Sequence, residues 1–435
     1  MSVPGAPDAA ELMRRCDVLA AQSAMSGGIE RVYLSPQHAT VNAIVSEWMT
    51  EAGMSVRQDE AGSLVGRYEG AAPGAPALLL GSHLDTVPDA GRYDGVLGVM
   101  LAIAVVARLS ARGERLPIAL EVLAFGDEEG TRFGTTLLGS RAAAGSWQPE
   151  WAQLRDRDGV SLAQAAQAFG LDPARIGEAA HDRERVVGYL EAHIEQGPIL
   201  EEAGLPLAVV RSIAGARRFQ ISVLGEAGHA GGTPFERRRD ALAGASAIVL
   251  AAEEIAKRSG TIATVGRMSV QPGAVNVIPG RADFSLDLRA ETDAARDAAW
   301  EQIEAAIEAI CGQRRLSARI EQVHAAPAVT ASPLLRDAVA EGIRSAIGVE
   351  GPVLYSKAGH DAMAMDALTG WAMLFIRCAG GVSHHPDESV TAEDVAAALD
   401  AFEAAVLAAA RQSGARPAEP AHAEAAGPAV QEATP

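Results

Sequence analysis

Between Ala77 and Leu109 two apolar runs flank a loop of glycine, proline and charge, which reads LLLGSHLDTVPDAGRYDGVLGV over residues 78–99. The first run, Ala77–Leu80, has no polar face. It therefore reads as a strand buried on both sides, as in a parallel sheet covered by helices. It ends at Gly81, and Gly95 opens the second run, Val96–Leu109, which is long enough for a helix. Parallel strands need such crossovers, so the pattern points to an α/β fold. Open α/β sheets keep their sites outside the carboxyl ends of the strands, and here that loop carries His83, Asp85 and Asp94. Imidazole and carboxylate together suit zinc, manganese or cobalt. Asp85, two residues beyond His83, is spaced to hold the imidazole nitrogen that a metal leaves free. The competing reading is a polar strand-end loop with a core histidine.

The same pattern recurs along the chain. Ile118–Phe125 is apolar and runs into Gly126-Asp127-Glu128-Glu129-Gly130. Adjacent carboxylates repel unless a cation or a proton separates their roles. Val187–Ile194 ends in His193-Ile194-Glu195-Gln196-Gly197-Pro198, and Trp371–Ile376 leads to Val382-Ser383-His384-His385-Pro386. Four strand ends thus offer His83 with Asp94, Glu128 with Glu129, His193, and His384 or His385. Three histidines and two carboxylates are more than one ion needs, and they fit a dinuclear site with a bridging carboxylate.

The order of elements breaks between Leu207 and Val323. Strands are predicted at Leu207–Ile213, Arg218–Leu224, Thr261–Val270, Arg281–Arg289 and Ser317–Val323, with helices at Arg239–Arg258 and Thr292–Cys311. Two strand–helix–strand units make a small α+β sandwich, inserted between the halves of the larger α/β domain. Its polar signals are Gly228-His229-Ala230-Gly231, the loop Asn276–Gly280, and Arg289 at a strand end. Trp147–Glu184 reads as polar and helical. Pro333–Ile347 and a stretch from Thr391 to about Gln412 read as helices, and residues 414–435, rich in Ala, Pro and Glu, as a disordered tail.

Composition narrows the partners. A net charge of −19 argues against nucleic acid or an anionic membrane, and no window of about 18 uncharged apolar residues reads as a membrane span. No signal peptide is predicted. The three scattered cysteines, Cys16, Cys311 and Cys378, exclude a thiolate metal site and fit a reducing cytoplasm.

Taken together, GSHLDTVPDAGRYDGVLG (81–98), GDEEGTRFG (126–134), HIEQGP (193–198), GHAGGTPFERRRDAL (228–242), VNVIPG (275–280), SLDLR (285–289), AGHDA (358–362) and GVSHHP (381–386) resemble the dinuclear amidohydrolases of the aminoacylase and peptidase-20 superfamily. The resemblance is to the branch of N-carbamoyl-L-amino-acid hydrolases, β-ureidopropionase and allantoate amidohydrolase, because a histidine stands at 193 where peptidase relatives carry an acid. It implies a metal-binding domain over residues 1–210 and 326–413 and a lid and dimerisation domain over 211–325. It also implies two divalent ions, zinc or manganese or cobalt. His83, Asp94 and His193 resemble the ligands of one ion and Asp94, Glu129 and His384 those of the other, with Asp94 as bridge. Glu128 resembles the general base, and Asp85 would orient His83. Arg289 and Asn276 resemble lid residues that hold a substrate carboxylate, Gln196 a substrate contact, and His229 a lid histidine that stabilises the oxyanion in the partner subunit of a homodimer. His360 lies in a family motif, with a structural role at a helix start equally open. The lid motif departs from the family's GTTPM at Gly232-Thr233-Pro234-Phe235. His38, His181, His324 and His422 match no motif. The implied activity is hydrolysis of a ureido C–N bond in a small carboxylate, allantoate first and an N-carbamoyl-L-amino acid second. An aminoacylase or peptidase ranks lower, and a non-catalytic metal-binding protein lowest.

Overall fold

A computed structural model describes residues 6–412, so the expected tail at 414–435 and His422 lie outside the described residues. Contacts divide the chain into two compact units. The first takes the described residues up to Arg211, Thr330–Leu354, and those from His360 onward; the second is Ser212–Val329 with Tyr355–Gly359.

The first unit is built on a mixed sheet. Its strands lie in the order Ser55–Gln58, Leu64–Tyr68, Ala119–Phe125, Ala77–His83, Val186–Ile194, Trp371–Ile376 and Leu207–Ile213. The four strands from Ala119–Phe125 to Trp371–Ile376 pair in parallel and the outer pairs are antiparallel. Every residue of Ala77–His83, Val186–Ile194 and Trp371–Ile376 is buried, as an apolar run with helices on both faces requires, whereas Ser55–Gln58 at the edge is open. The crossover helix Val96–Ala111 is apolar nearly all round and buries Leu97, Leu101, Ile103, Val105 and Val106 completely. Each such side chain is worth about 1.5–3 kcal/mol. Among the described residues no helix is long and apolar enough to cross a membrane.

The second unit is an antiparallel sheet, in the order Met268–Gln271, Arg281–Ala290, Gly215–Leu224 and Ser317–Ala326, with helices Ala241–Ser259 and Asp293–Arg314. Along Arg281–Ala290 burial alternates residue by residue. Ala282, Phe284, Leu286 and Leu288 enter a core with Ile248, Ile255, Ile303 and Ile307, which leaves Arg281, Asp283, Ser285, Asp287 and Arg289 on the opposite face.

Several expectations need correction. The strand from Ala77 does not stop at Gly81: pairing with Ala119–Phe125 continues to His83 opposite Phe125, so His83 closes the strand. Leu207–Ile213 pairs with Trp371–Ile376 in the large sheet, because its residues 207–210 are buried on both sides. Thr261–Val270 is two strands, Ile262–Thr264 and Met268–Gln271, broken around Gly266 and pairing in turn with Arg281–Ala290. Between Trp147 and Glu184 only Leu162–Phe169 is α-helix. Pro149 and an Asp156 carboxylate that accepts the Asp158 and Val160 amides turn the chain instead, and Trp151, Leu162 and Ile176 pack on Tyr33 and Phe133.

Candidate active site

Because the four central strands are parallel, their carboxyl ends share one edge. His83, the Asp127–Glu129 turn, His193 and the loop after Ile376 all leave the sheet there. The Nδ1 of His83 lies 3.1 Å from the Asp85 carbonyl, and the Nδ1 of His193 lies 2.9 Å from the Ile194 carbonyl. A carbonyl only accepts, so each Nδ1 carries a proton, and in the neutral imidazole that can bind metal each Nε2 keeps its lone pair. Those Nε2 atoms lie 3.8 and 3.1 Å from Asp94 Oδ1, a buried atom with no hydrogen-bond partner among the described residues. Asp94 Oδ2 faces another group: His384 Nε2 lies 3.1 Å away and is itself 3.2 Å from Glu129 Oε1. The ligand atoms of His83–Asp94–His193, and likewise of Asp94–Glu129–His384, lie within 4.8 Å of one another. Lone pairs aimed at a buried carboxylate are a conflict that a cation between them removes. The donor set therefore fits divalent metal, with one Asp94 oxygen turned to each group.

Charge in the cluster follows the same logic. Burial pushes Asp94 up, but His193, His384 and His83 outweigh it and hold the carboxyl well below its ordinary range. Asp94 and Glu129 raise His384 to about 10. Glu128, in contrast, is raised well above the usual carboxylate range by burial and by the neighbouring Glu129, so the adjacent acids are not equivalent.

Supporting contacts fix these groups. The Asp85 carboxylate lies 3.5 Å from His83 Nδ1 and accepts the backbone N–H groups of Glu128 at 2.9 Å and Glu129 at 3.2 Å, so it also holds the acidic turn. At Gly95, φ 66° and ψ −51°, a γ-turn bonds the Val96 amide to the Asp94 carbonyl at 2.7 Å. Asp127, Gln196 and His384 are non-glycine residues with φ 65°, 56° and 54°, and such backbone strain tends to gather at functional sites. Gln196 Nε2 donates to Asp94 Oδ2 at 2.9 Å, while its Oε1 is buried without a partner among the described residues.

Sequence reasoning missed Glu388 and Ser383. Glu388 Oε1 accepts the backbone amides of Tyr93 and Asp94, and Ser383 Oγ lies 3.0 Å from both Asp94 Oδ2 and Glu388 Oε2. The available signal was an acid four residues beyond His384 in the same short loop. His360, buried, sets its ring edge-on to His193 at 4.4 Å. His385 is exposed, and among the described residues its ring bonds only within its own turn.

The remaining three candidates lie in the second unit. His229 is exposed, opposite Val277 in a two-stranded ladder, and its Nδ1 accepts the Gly232 amide at 2.9 Å. Asn276 is exposed. Arg289 is already engaged: Nε and Nη2 donate to Asp287 at 2.8 and 3.2 Å, and Nη1 donates to the Lys357 carbonyl at 2.8 Å. Of the five N–H donors of a guanidinium, two are left for a ligand.

Comparison with known proteins gives consistent matches. The description "Peptidase family M20/M25/M40" matches residues 79–408. The N-carbamoyl-L-amino acid amidohydrolase of Geobacillus stearothermophilus is 41% identical over 85% of this chain and 91% of that protein. The allantoate deiminase of Arabidopsis thaliana is 38% identical over 89% of this chain and 80% of that one. A solved amidase of the hydantoinase/carbamoylase family from Burkholderia multivorans superposes with a TM-score of 0.87 at 31% identity, covering 93% and 98% of the two chains.

Proposed function

This chain belongs to peptidase family M20/M25/M40, and within that family we propose that it hydrolyses the C–N bond of a ureido group on a small carboxylate, either allantoate or an N-carbamoyl-L-amino acid. The amine, carbon dioxide and ammonia leave as products. The observation that carries this reading is the pairing of a full ligand set with Glu128, a buried acid raised above its ordinary range that a mere metal scaffold would not need. Two divalent ions, zinc or manganese or cobalt, would supply Lewis acidity to the ureido carbonyl and the attacking water.

The chain's own residues do the rest. His83, His193 and Asp94 would hold one ion, and Asp94, Glu129 and His384 the other. Glu128 takes a proton from the water and passes it to the leaving nitrogen, a role suited to a carboxyl that burial and Glu129 raise above its ordinary range. Asp85 keeps Glu128 aimed through its backbone amide. The unpartnered Oε1 of Gln196 is an acceptor that a ureido N–H matches and a simple ester or ketone does not. The two remaining donors of Arg289, with Asn276, take the substrate carboxylate as a bidentate pair. His229 stabilises the oxyanion, reaching the partner's site in a homodimer. A cytoplasmic location belongs to the same proposal and is supported by the three free cysteines.

Ammonia release tests the reading directly. Protein loaded with zinc, manganese or cobalt should act on allantoate or on N-carbamoyl-L-amino acids, and far less on N-acetyl amino acids or dipeptides. Turnover confined to the acetyl or peptide substrates would overturn it.

A further inference from the structure

The second unit holds a cavity of about 640 Å³ whose charge opposes that of the chain. The protein carries a net charge of −19, yet the cavity is lined by Arg218, Arg267, Arg289 and Lys357 against one carboxylate, Asp287. Asp287 is shared between Arg218, at 2.9 Å, and Arg289, at 2.8 Å, so it offsets one charge of the four. Arg267 donates to the neutral Gln220 amide at 2.9 Å, and no carboxylate among the described residues pairs with it. Among the described residues the Lys357 ammonium has no carboxylate partner either, and it lies 5.9 Å from the centroid of the Tyr355 ring. Lysine is rare in this chain. Only two of the 37 basic side chains are lysines, and the other, Lys257, is paired with Glu253 on a helix surface. Uncompensated cations gathered in a concave surface concentrate anionic ligands there.

We propose that this cavity receives a second anionic group of the substrate, so that the enzyme prefers ureido dicarboxylates, with Lys357 and Arg267 as the specificity-determining residues. The inference rests on the reading of Arg289 as the anchor of the substrate's first carboxylate. Two unused N–H donors on Arg289 serve one carboxylate and no more. Lys357 adjoins that anchor, since its carbonyl accepts Arg289 Nη1, and Arg267 lines the same space. The volume lies within the range that encloses whole ligands, so a substrate longer than the smallest ureido acids has room. N-carbamoyl-L-glutamate and N-carbamoyl-L-aspartate have this chemistry. Allantoate, with one carboxylate, does not, which reverses the order of substrates that the motifs alone suggest.

The experiment compares kcat/KM for N-carbamoyl-L-glutamate, N-carbamoyl-L-aspartate, N-carbamoyl-L-methionine and allantoate in the wild type, Lys357→Ala, Lys357→Arg and Arg267→Ala. A dicarboxylate should lead the monocarboxylates by about tenfold or more, the scale of one charge-assisted hydrogen bond. Lys357→Ala and Arg267→Ala should each erase most of that lead, and Lys357→Arg should keep it. Calorimetric binding of N-carbamoyl-L-glutamate to the Glu128→Gln chain gives a readout free of turnover, and it should weaken about tenfold when Lys357→Ala is added. A monocarboxylate preference, or a dicarboxylate lead unchanged in both alanine variants, overturns the proposal. So does Lys357-dependent binding of inorganic phosphate without any preference among ureido acids. If no ureido acid is turned over at all, the proposed activity fails instead, and the calorimetric arm alone then decides whether the cavity selects a dianion.

Discussion

Gly95→Ala should disable the candidate metal site from a residue that offers no ligand. Two separate effects follow from the structure. Gly95 sits at φ 66° and ψ −51° in the γ-turn that presents Asp94, and a side chain in so sparsely allowed a region costs about 1–3 kcal/mol. The added Cβ would also fall inside 3.0 Å of three atoms of the His83 ring, Nε2 among them. His83 is 2% exposed, so the ring cannot swing into solvent. Restoring ordinary contact requires a shift of about 1 Å in a close-packed region. Stability of most proteins is about 5–15 kcal/mol, so the variant should fold. Its metal affinity should nevertheless fall about 100-fold or more, since even disturbing the partners of a ligand costs roughly 10–100-fold. The control is Gly113→Ala, where φ is 67° and nothing lies within 4 Å; it carries backbone strain alone, about 1–2 kcal/mol. Urea melts of the metal-free chains and zinc titration against a competing chelator separate the effects. A Gly95→Ala chain that binds zinc like the wild type, with a stability loss no larger than that of Gly113→Ala, would refute the reasoning.

Four further outcomes are expected. Glu128→Gln should keep its metal and lose about 10²–10⁴-fold in turnover, whereas Glu129→Gln should lose metal, as elemental analysis and rates will show; exchanged phenotypes reject the two roles. Arg289→Lys should raise KM for the substrate more than it lowers kcat, because an ammonium cannot reproduce the guanidinium fork, and an unchanged KM rules out the anchor. Mixing inactive His229→Ala and Glu128→Gln chains should restore activity if a homodimer shares its sites, since one site of the mixed pair then carries neither defect; no recovery after demonstrated subunit exchange argues against sharing. Burial lowers His38 to about 4 from an ordinary 6.5, so the folded state holds it neutral. Its stabilising contribution is complete above about pH 6.5 and is lost as pH falls toward 4, by roughly 3 kcal/mol. Urea midpoints at pH 7 and pH 4.5 should differ less in His38→Gln than in the wild type, and an identical pH dependence in both chains excludes this origin.

The sequence exposes the candidate edge because apolar strands leave their polar groups at their ends. His83, Asp94, Glu129, His193 and His384 are each legible as the first polar groups after an apolar run or in its loop, and the structure brings them together. What stays hidden depends on contacts between distant residues. The grip of Glu388 on the amides of Tyr93 and Asp94 spans 295 and 294 residues and has no local pattern. The double duty of Asp85 toward His83 and the acidic turn is hidden for the same reason. Leu207–Ile213 reads in order as a strand of the inserted sandwich, and only its distant partner Trp371–Ile376 assigns it to the large sheet. The 147–184 segment misleads because its helix-favouring residues are interrupted by turn chemistry at Asp156 and by packing of Trp151 and Ile176 on the first unit's flank. The basic cavity is invisible to a linear reading, since Arg218, Arg267, Arg289 and Lys357 meet only across an antiparallel sheet and a returning segment.

The position of Trp371–Ile376, in parallel register with Val186–Ile194 on one side and antiparallel with Leu207–Ile213 on the other, bears on how the protein is born. A ribosome delivers Trp371–Ile376 long after the strand it pairs with, Val186–Ile194. At about 5–20 residues per second, roughly 10–35 seconds separate the emergence of Val186–Ile194 from that of its neighbour. Throughout that interval a nine-residue strand with every side chain destined for the interior presents a bare hydrogen-bonding edge, a template for pairing with other nascent chains. Overexpression in a fast-translating host should therefore be limited by association of incomplete chains, and a holdase chaperone that masks that edge should raise the soluble yield. Stop codons placed before Trp371 should yield insoluble fragments even though His83, Asp94, Glu128 and His193 have all been made.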